Sequence, residues 1–280
     1  MSKTLSTVAS KQFDTEVKQA YQGVGKIKMA VTLRTGVTGD TYNFRAIGSG
    51  LAKERTAPSS DVTPMNVDHS LVPVVLKNIE APEYTDIFDN AEVNFSEVQE
   101  LAQVITSALG RKEDQFIIDA LAASGTTKVV GTDVGGAGTG LNVDKLRRAS
   151  KLLNDNDVPM EERYAVISSE GLEGLLGETE ATSTDYASVK ALVQGDIDTF
   201  MGFKFIVIGN RTEGGLPKSG NVRDSFFFHK TAIGYAEGIA VTTNVDWIPT
   251  KQSWLSMGKF KGNAVARDAL GIVKVQYTEA

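Results

Sequence analysis

From Val98 to Leu121 the apolar side chains return every three or four residues, and this stretch constrains the chain more than any other. Val98, Leu101, Ala102, Ile105, Ala108 and Leu109 form one stripe, which Phe116, Ile117, Ala120 and Leu121 continue past Gly110. That period belongs to an α-helix with one buried face. Asn94-Phe-Ser-Glu97 and Ser96-Glu-Val-Gln99 each offer a capping box at its start, where side chains satisfy the first free backbone N–H groups. The spacing predicts one helix over about residues 95–123, roughly 40 Å long at about 1.5 Å per residue. Such a helix is a spine for other elements rather than a carrier of catalytic groups.

Upstream, Tyr42–Ile47 alternates, with Tyr42, Phe44 and Ala46 on one face, and Leu71–Ile79 is a second β-rich run. Between them Gly50, Pro58, Ser59, Ser60, Asp61 and Pro64 break any regular element. Hairpin loops usually hold about 2–5 residues, so a polar tip of roughly 20 marks a functional excursion. An isolated two-stranded ribbon is marginal in water, so Tyr42, Phe44, Ile47, Leu71, Val74 and Leu76 are expected to need cover from outside the subunit. Before the ribbon, residues 11–28 place Phe13, Val17, Ala20, Tyr21 and Val24 at helical spacing, and Met29–Arg34 alternates as a strand.

Gly125–Gly140 is a low-complexity stretch and the clearest internal boundary. Beyond it the pattern predicts helix 143–155, strand Tyr164–Ser168, helix 169–176, a polar region 182–198 and strand Phe203–Gly209. A loop with Gly214, Gly215, Pro217 and Gly220 closes this block. The rest reads as strands: Ser225–Phe228, Ile239–Val245, Ser253–Phe260 and Gly271–Tyr277. The mixture is α+β, with no internal repeat of 20–50 residues.

The residue inventory removes most chemistry. With no cysteine among 280 residues, disulfides, thiolate metal sites and cysteine nucleophiles are excluded. The only histidines are His69 and His229, too few for a three-histidine metal site, and each reads as a surface or edge residue. Gly136-Ala-Gly138-Thr-Gly140 looks like a phosphate loop, but Leu141-Asn142 follows where Lys-Ser/Thr would meet phosphate and magnesium. Asp155-Asn156-Asp157 opens like a calcium loop yet lacks its later Gly and Glu. Ser168-Ser169-Glu170-Gly171 lacks the nucleophile elbow. No catalytic site, metal site or cofactor is expected. The start, MSKTLSTVAS, has no apolar h-region, so synthesis in the cytoplasm without a signal peptide is expected, and no apolar run reaches membrane-helix length.

Charge is uneven. The chain carries a net −6, yet residues 1–60 hold nine Lys/Arg against four Asp/Glu. A basic beginning on an acidic body suits contact with a polyanion, or a solvated basic helix with no partner.

The order of elements carries a resemblance. An amphipathic arm, a long two-stranded excursion, a spine helix, a Gly-rich exit, an α/β insertion and a terminal block of strands follow one another. That order resembles the major capsid protein of tailed double-stranded DNA phages, whose fold is named after phage Hong Kong 97. Phe13-Asp-Thr-Glu-Val-Lys-Gln-Ala-Tyr-Gln22 looks like the arm of podovirus-type members, and Thr41-Tyr-Asn-Phe-Arg-Ala-Ile-Gly48 looks like the outgoing strand of the extended loop. Ile87-Phe-Asp-Asn-Ala91 through Leu109-Gly-Arg-Lys-Glu-Asp114 looks like the entry and first half of the spine helix.

The resemblance implies an N-terminal arm and first strand at 1–40, an extended loop at 41–80, a peripheral domain from 81–142 and 225–280, and an inserted axial domain at 143–224. It implies a virion shell subunit that assembles as homo-pentamers and homo-hexamers of an icosahedral capsid around double-stranded DNA. A separate scaffolding protein, a portal and a decoration protein are the implied partners, with no membrane. Within the loop, Phe44, Lys53, Glu54, Arg55 and Asp61 are expected at an inter-subunit contact. In the arm, Lys3, Lys11, Lys18, Lys26 and Lys28 are expected to face the lumen and meet DNA without base readout. No crosslink carries over, because the residues around Lys53 and Asn263 do not match. An encapsulin, which shares this fold, and a small-molecule enzyme on an α/β scaffold are the alternative readings.

Overall fold

The computed structural model describes residues 22–55, 57–58, 61–62, 64–87, 97–178 and 199–279. The apolar stripe forms α1 (Glu97–Ala122), as its period demands; the two capping boxes lie wholly or partly outside the described residues. Along the chain, a 3-10 turn at Ile27–Ala30 leads to β1 (Thr32–Arg34), β2 (Thr41–Ile47), β3 (His69–Val75) and β4 (Lys77–Asp86). After α1 come β5 (Val129–Val130), α2 (Val143–Asn154), β6 (Arg163–Ser168), α3 (Ser169–Leu176), β7 (Lys204–Ile208) and β8 (Lys218–Ser219). The chain then runs through β9 (Val222–His229), β10 (Ile233–Ile248), β11 (Ser253–Ala266) and β12 (Ile272–Thr278).

Three sheets result. A four-stranded sheet has the order β1-β10-β11-β4, and a second sheet has the order β5-β12-β9-β6-β7 with β8 beside β9. The ribbon β2–β3 stands apart, in register from Thr41 opposite Val75 to Ile47 opposite His69. The strand pair β10–β11 runs from Ile233 opposite Ala266 to Ile248 opposite Ser253, with irregularities between Glu237 and Thr242. It is far longer than the predicted Ile239–Val245 and Ser253–Phe260. Gly238, Gly258 and Gly262 hide the alternation that marks a strand.

One core joins the two large sheets. Ile105, Leu109, Phe116, Ile117 and Leu121 of α1 pack with Ile233, Tyr235 and Phe260 of the four-stranded sheet, and with Val166, Ile206, Phe226, Phe228 and Ile272 of the larger one. The larger sheet's opposite face forms a second core. There Ala165, Ile167, Phe227, Val273 and Val275 meet Leu146, Ala149 and Leu153 of α2, Leu175 of α3, and Phe203. The run Phe226-Phe227-Phe228 thus serves both cores, because successive strand residues point to opposite faces. Phe203 and Phe205 both meet Phe227 edge-on, at 5.0 and 6.5 Å between centroids.

Several expectations change here. Residues 22–26 are irregular and Ile27–Ala30 is a 3-10 turn, so the helix predicted over 11–28 does not reach its end. The run Leu71–Ile79 is two strands parted at Leu76; β4 leaves the ribbon and pairs with β11. The boundary drawn at 224/225 falls inside β9, which pairs with both β6 and β12. The strands of the expected insertion therefore share a sheet with the last strand of the chain. The polar region at 182–198 lies outside the described residues.

Phe227→Ala removes a fully buried ring from the second core and is expected to cost about 3–5 kcal/mol. Leu270→Ala, on a side chain 53% exposed, should stay within about 0.5 kcal/mol. Urea denaturation of the two variants checks the contrast.

Candidate functional site

The beginning of the described chain is first fastened to α1 through its backbone. Asp114, wholly buried on α1, accepts hydrogen bonds from Lys26 N at 3.1 and 3.0 Å and from Ile27 N at 2.9 Å. The Arg211 guanidinium, from the loop after β7, donates to the same carboxylate at 2.7 Å. Arg211 also donates from Nε to Gly214 O at 2.9 Å, and Gly214 N donates to Gln115 Oε1 at 2.8 Å. Gly25 crosses Gly110 so closely that a Cβ on Gly25 would sit 2.7 Å from the Gly110 carbonyl oxygen. A side chain at either position would force the strap off the helix. Burial pushes the Asp114 carboxyl above its ordinary value, although the Ile27 and Lys26 N–H groups and Arg211 oppose it. A carboxyl raised in this way takes up its proton more readily folded than unfolded, so its titration does not cost stability as pH falls.

Lys28 makes the second fastening. Its ammonium lies 2.8 Å from Glu113 and 2.5 Å from Glu237, and Tyr235 OH donates to Glu113 at 3.1 Å. Burial alone would lower the Lys28 pKa, but hydrogen bonds and charge from the two glutamates raise it. Burial first, and then Glu113, push the Tyr235 hydroxyl up. Lys28, expected as a free cation of the arm, is instead the counter-charge for two buried carboxylates, which the fold cannot hold unpaired. Lys26 is exposed, with its ammonium 3.3 Å from Val207 O. Lys3, Lys11 and Lys18 lie outside the described residues.

The ribbon also departs from expectation. Phe44, Val74 and Leu76 are 3, 3 and 6% exposed, and Phe44 and Val74 cluster with this chain's own Ala236, Val37 and Val265. Phe44 is therefore no inter-subunit contact: the four-stranded sheet already fills that face. Ile47 and Leu71 remain 69 and 62% exposed, and at the tip Leu51 and Val62 are 85 and 95% exposed. Lys53, Glu54, Arg55 and Asp61 are all exposed, with Arg55 Nε donating to Ala57 O at 3.1 Å.

Two further clusters were invisible in the sequence. Glu279 accepts from Arg223 Nε at 2.8 Å and from Ser168 Oγ at 2.6 Å, with Lys218 Nζ 3.3 Å away. Tyr277 OH lies 2.8 Å from Ser168 Oγ and accepts from Ser225 Oγ at 3.1 Å. The hydroxyl of Ser168, weighed as a nucleophile, is thus fully engaged; it also caps α3 by accepting from Gly171 N at 2.9 Å. Lys145 is buried, and its ammonium donates to Thr139 O, Thr139 Oγ1 and Gly140 O at 2.9, 2.7 and 2.8 Å. Burial lowers its pKa to about 8 despite Asp133 and Glu178. The Gly136–Gly140 loop therefore turns carbonyl oxygens inward, the wrong polarity for phosphate. His229 Nδ1 accepts from Thr231 N at 3.3 Å and caps a 3-10 turn, while His69 is exposed on the ribbon. Among the described residues no cluster of ligating side chains could hold a metal ion, and no helix is long and apolar enough to cross a membrane.

The model of the family described as phage capsid protein matches residues 5–279. The chain belongs to the phage capsid protein family. No curated protein matches this capsid protein by sequence. Among solved structures it is similar to the capsid of cyanophage P-SCSP1u, at 16% identity and a TM-score of 0.77, covering 98% of this chain and 94% of that one. Mycobacterium phage Che8 gives 16% identity and a TM-score of 0.72, covering 96 and 97% of the two chains. The acid-stable capsid of Helicobacter pylori bacteriophage KHP30 gives 11% identity and 0.76, covering 98 and 97%. The α+β fold is thus that of phage capsid proteins, and the role is that of a major capsid protein. Neither an encapsulin nor a small-molecule enzyme is favoured.

Arg211→Met leaves the Asp114 carboxylate buried without its cation and is expected to cost about 3–5 kcal/mol. The double variant with Asp114→Asn should recover part of that loss in chemical denaturation. Glu279 is a buried group sensitive to acid. Burial alone would raise it, but Arg223, Ser168 and Lys218 hold it below its ordinary value. Its stabilisation is present above the unfolded carboxylate pKa and is lost as pH falls through the lower folded value. Glu279→Gln should lower stability at neutral pH and flatten the acid limb of a melting-temperature profile.

Proposed function

We propose that this capsid protein self-assembles as pentamers and hexamers of an icosahedral shell enclosing phage double-stranded DNA. The observation that carries this reading is the ribbon. Its base is buried against the subunit's own sheet, whereas its tip holds Leu51 and Val62 almost fully in solvent. An apolar tip on an anchored support suits a neighbouring copy, where burial of the tip is favourable. Lys53, Glu54, Arg55 and Asp61 supply both signs of charge around it, which suits register more than raw affinity. The role is structural rather than catalytic.

The sheet order supports drawing an axial unit around the larger sheet, α2 and α3, and a peripheral unit around the four-stranded sheet and α1. Because α1 packs on both sheets, the two units are coupled through one core rather than hinged freely. Lys3, Lys11, Lys18 and Lys26 remain the candidates for a lumen-facing basic arm that meets DNA through its phosphates. Lys28 is not among them. A separate scaffolding protein, a portal and a decoration protein would act on the same shell, after synthesis in the host cytoplasm.

Replacing residues 49–68 with a short Gly-containing turn tests the reading. The expected result is a folded, soluble subunit with an unchanged circular dichroism spectrum that no longer closes into uniform particles by electron microscopy. Normal particles of unchanged diameter and heat resistance would remove the tip from assembly.

A further inference from the structure

The ribbon is held at two separated places. At its base, Leu76 N donates to Asp40 O at 2.8 Å, Asn263 Nδ2 donates to Val75 O at 2.8 Å, and Lys261 Nζ pairs with Asp40 at 2.6 Å. The second place lies three residues further out along β2, about 10 Å away at about 3.3 Å per residue. There the Phe44 ring, 3% exposed, presses on Gly234 so closely that a Cβ at 234 would sit 2.6 Å from the ring. The Arg267 guanidinium carbon lies 5.3 Å from the ring centroid, and Tyr42 meets the ring edge-on at 4.9 Å. Arg267 Nη2 donates to Arg45 O at 3.2 Å, tying the neighbouring backbone to the same point. Among the described residues Arg267 Nε is buried with no hydrogen-bond partner, and the electron-rich ring face is what offsets its loss of water.

A ribbon held only at its base pivots; one held again about 10 Å further out has its direction fixed. We infer that Phe44, Gly234 and Arg267 form a lock that sets the ribbon's direction, and with it where the 48–68 tip is presented. These are positioning residues. The consequence for shells rests on the tip being an assembly element, but the lock is a property of one subunit and is tested there. Carbon atoms in ordinary contact sit about 3.5–4.0 Å apart, so an alanine methyl at 234 displaces the ring by about 1 Å. Over that lever the ribbon tilts by about 6°.

The absence of cysteine makes the test clean, since Lys53→Cys and Asn244→Cys introduce the only two thiols. Spin labels there report the distance from tip to four-stranded sheet by pulsed electron resonance on dilute, full-length subunits. Phe44→Ala is expected to broaden the distance distribution at least about twofold, as a released segment samples more directions. Gly234→Ala is expected to shift the mean while keeping the distribution narrow. Phe44 lies outside the two main cores, so its variant decides the matter if Gly234→Ala fails to fold. An unchanged width in Phe44→Ala overturns the lock. A broadened ribbon whose unlabelled variant still forms uniform shells supports the lock and counts instead against the tip as an assembly element.

Discussion

A carboxylate buried away from water needs several donors at once, and Asp114 collects them from two distant parts of the chain. It takes two backbone N–H groups from the strap before β1 and a guanidinium from the loop after β7, all against the middle of α1. Truncating any one partner leaves the others holding a buried charge, which is why such a knot ties distant segments so firmly. Glu113, one residue earlier, repeats the arrangement with Lys28 and Tyr235. The helix is thus fixed at one level to the strap, the four-stranded sheet and the loop leaving the larger sheet.

Around that level the apolar packing follows. Because α1 offers Ile105 and Leu109 at one end and Ile117 and Leu121 at the other, it serves both sheets with a single stripe. The larger sheet must then hide its second face, and α2 and α3 do so with Leu146, Leu153 and Leu175. Among the described residues the apolar side chains Leu51 and Val62 of the ribbon tip stay exposed, as the proposed contact with another copy requires. A shell subunit needs this division between a body that is closed on itself and an edge that is not.

Several buried polar groups of the described residues serve the fold. Ser168 and His229, which sequence reading had to weigh as reactive, and the buried Lys145 are each bound to backbone or to a partner side chain. Their hydrogen bonds hold a cap, a glycine loop and a turn. In a protein whose work is repeated contact, rigidity of the subunit is the useful product of such groups, since every error in shape recurs at every copy.

Local periodicity determined much of this by itself. The spine helix, the strand through Phe228 and the long polar excursion all follow from spacing and turn chemistry in the residue string. So does the resemblance to capsid proteins, which rests on element order. The sequence also held a signal that spacing alone does not interpret: Glu113 and Asp114 interrupt an apolar stripe, where a carboxylate is tolerated only with buried partners. Tertiary structure decided who those partners are, because Lys26, Lys28, Arg211 and Tyr235 are far away along the chain. It also decided that Phe44 turns inward, that β4 leaves the ribbon, and that β9 and β12 join β6. Strand pairing and buried charge are non-local: they depend on which surfaces meet once the chain is folded, and no window of residues contains that information.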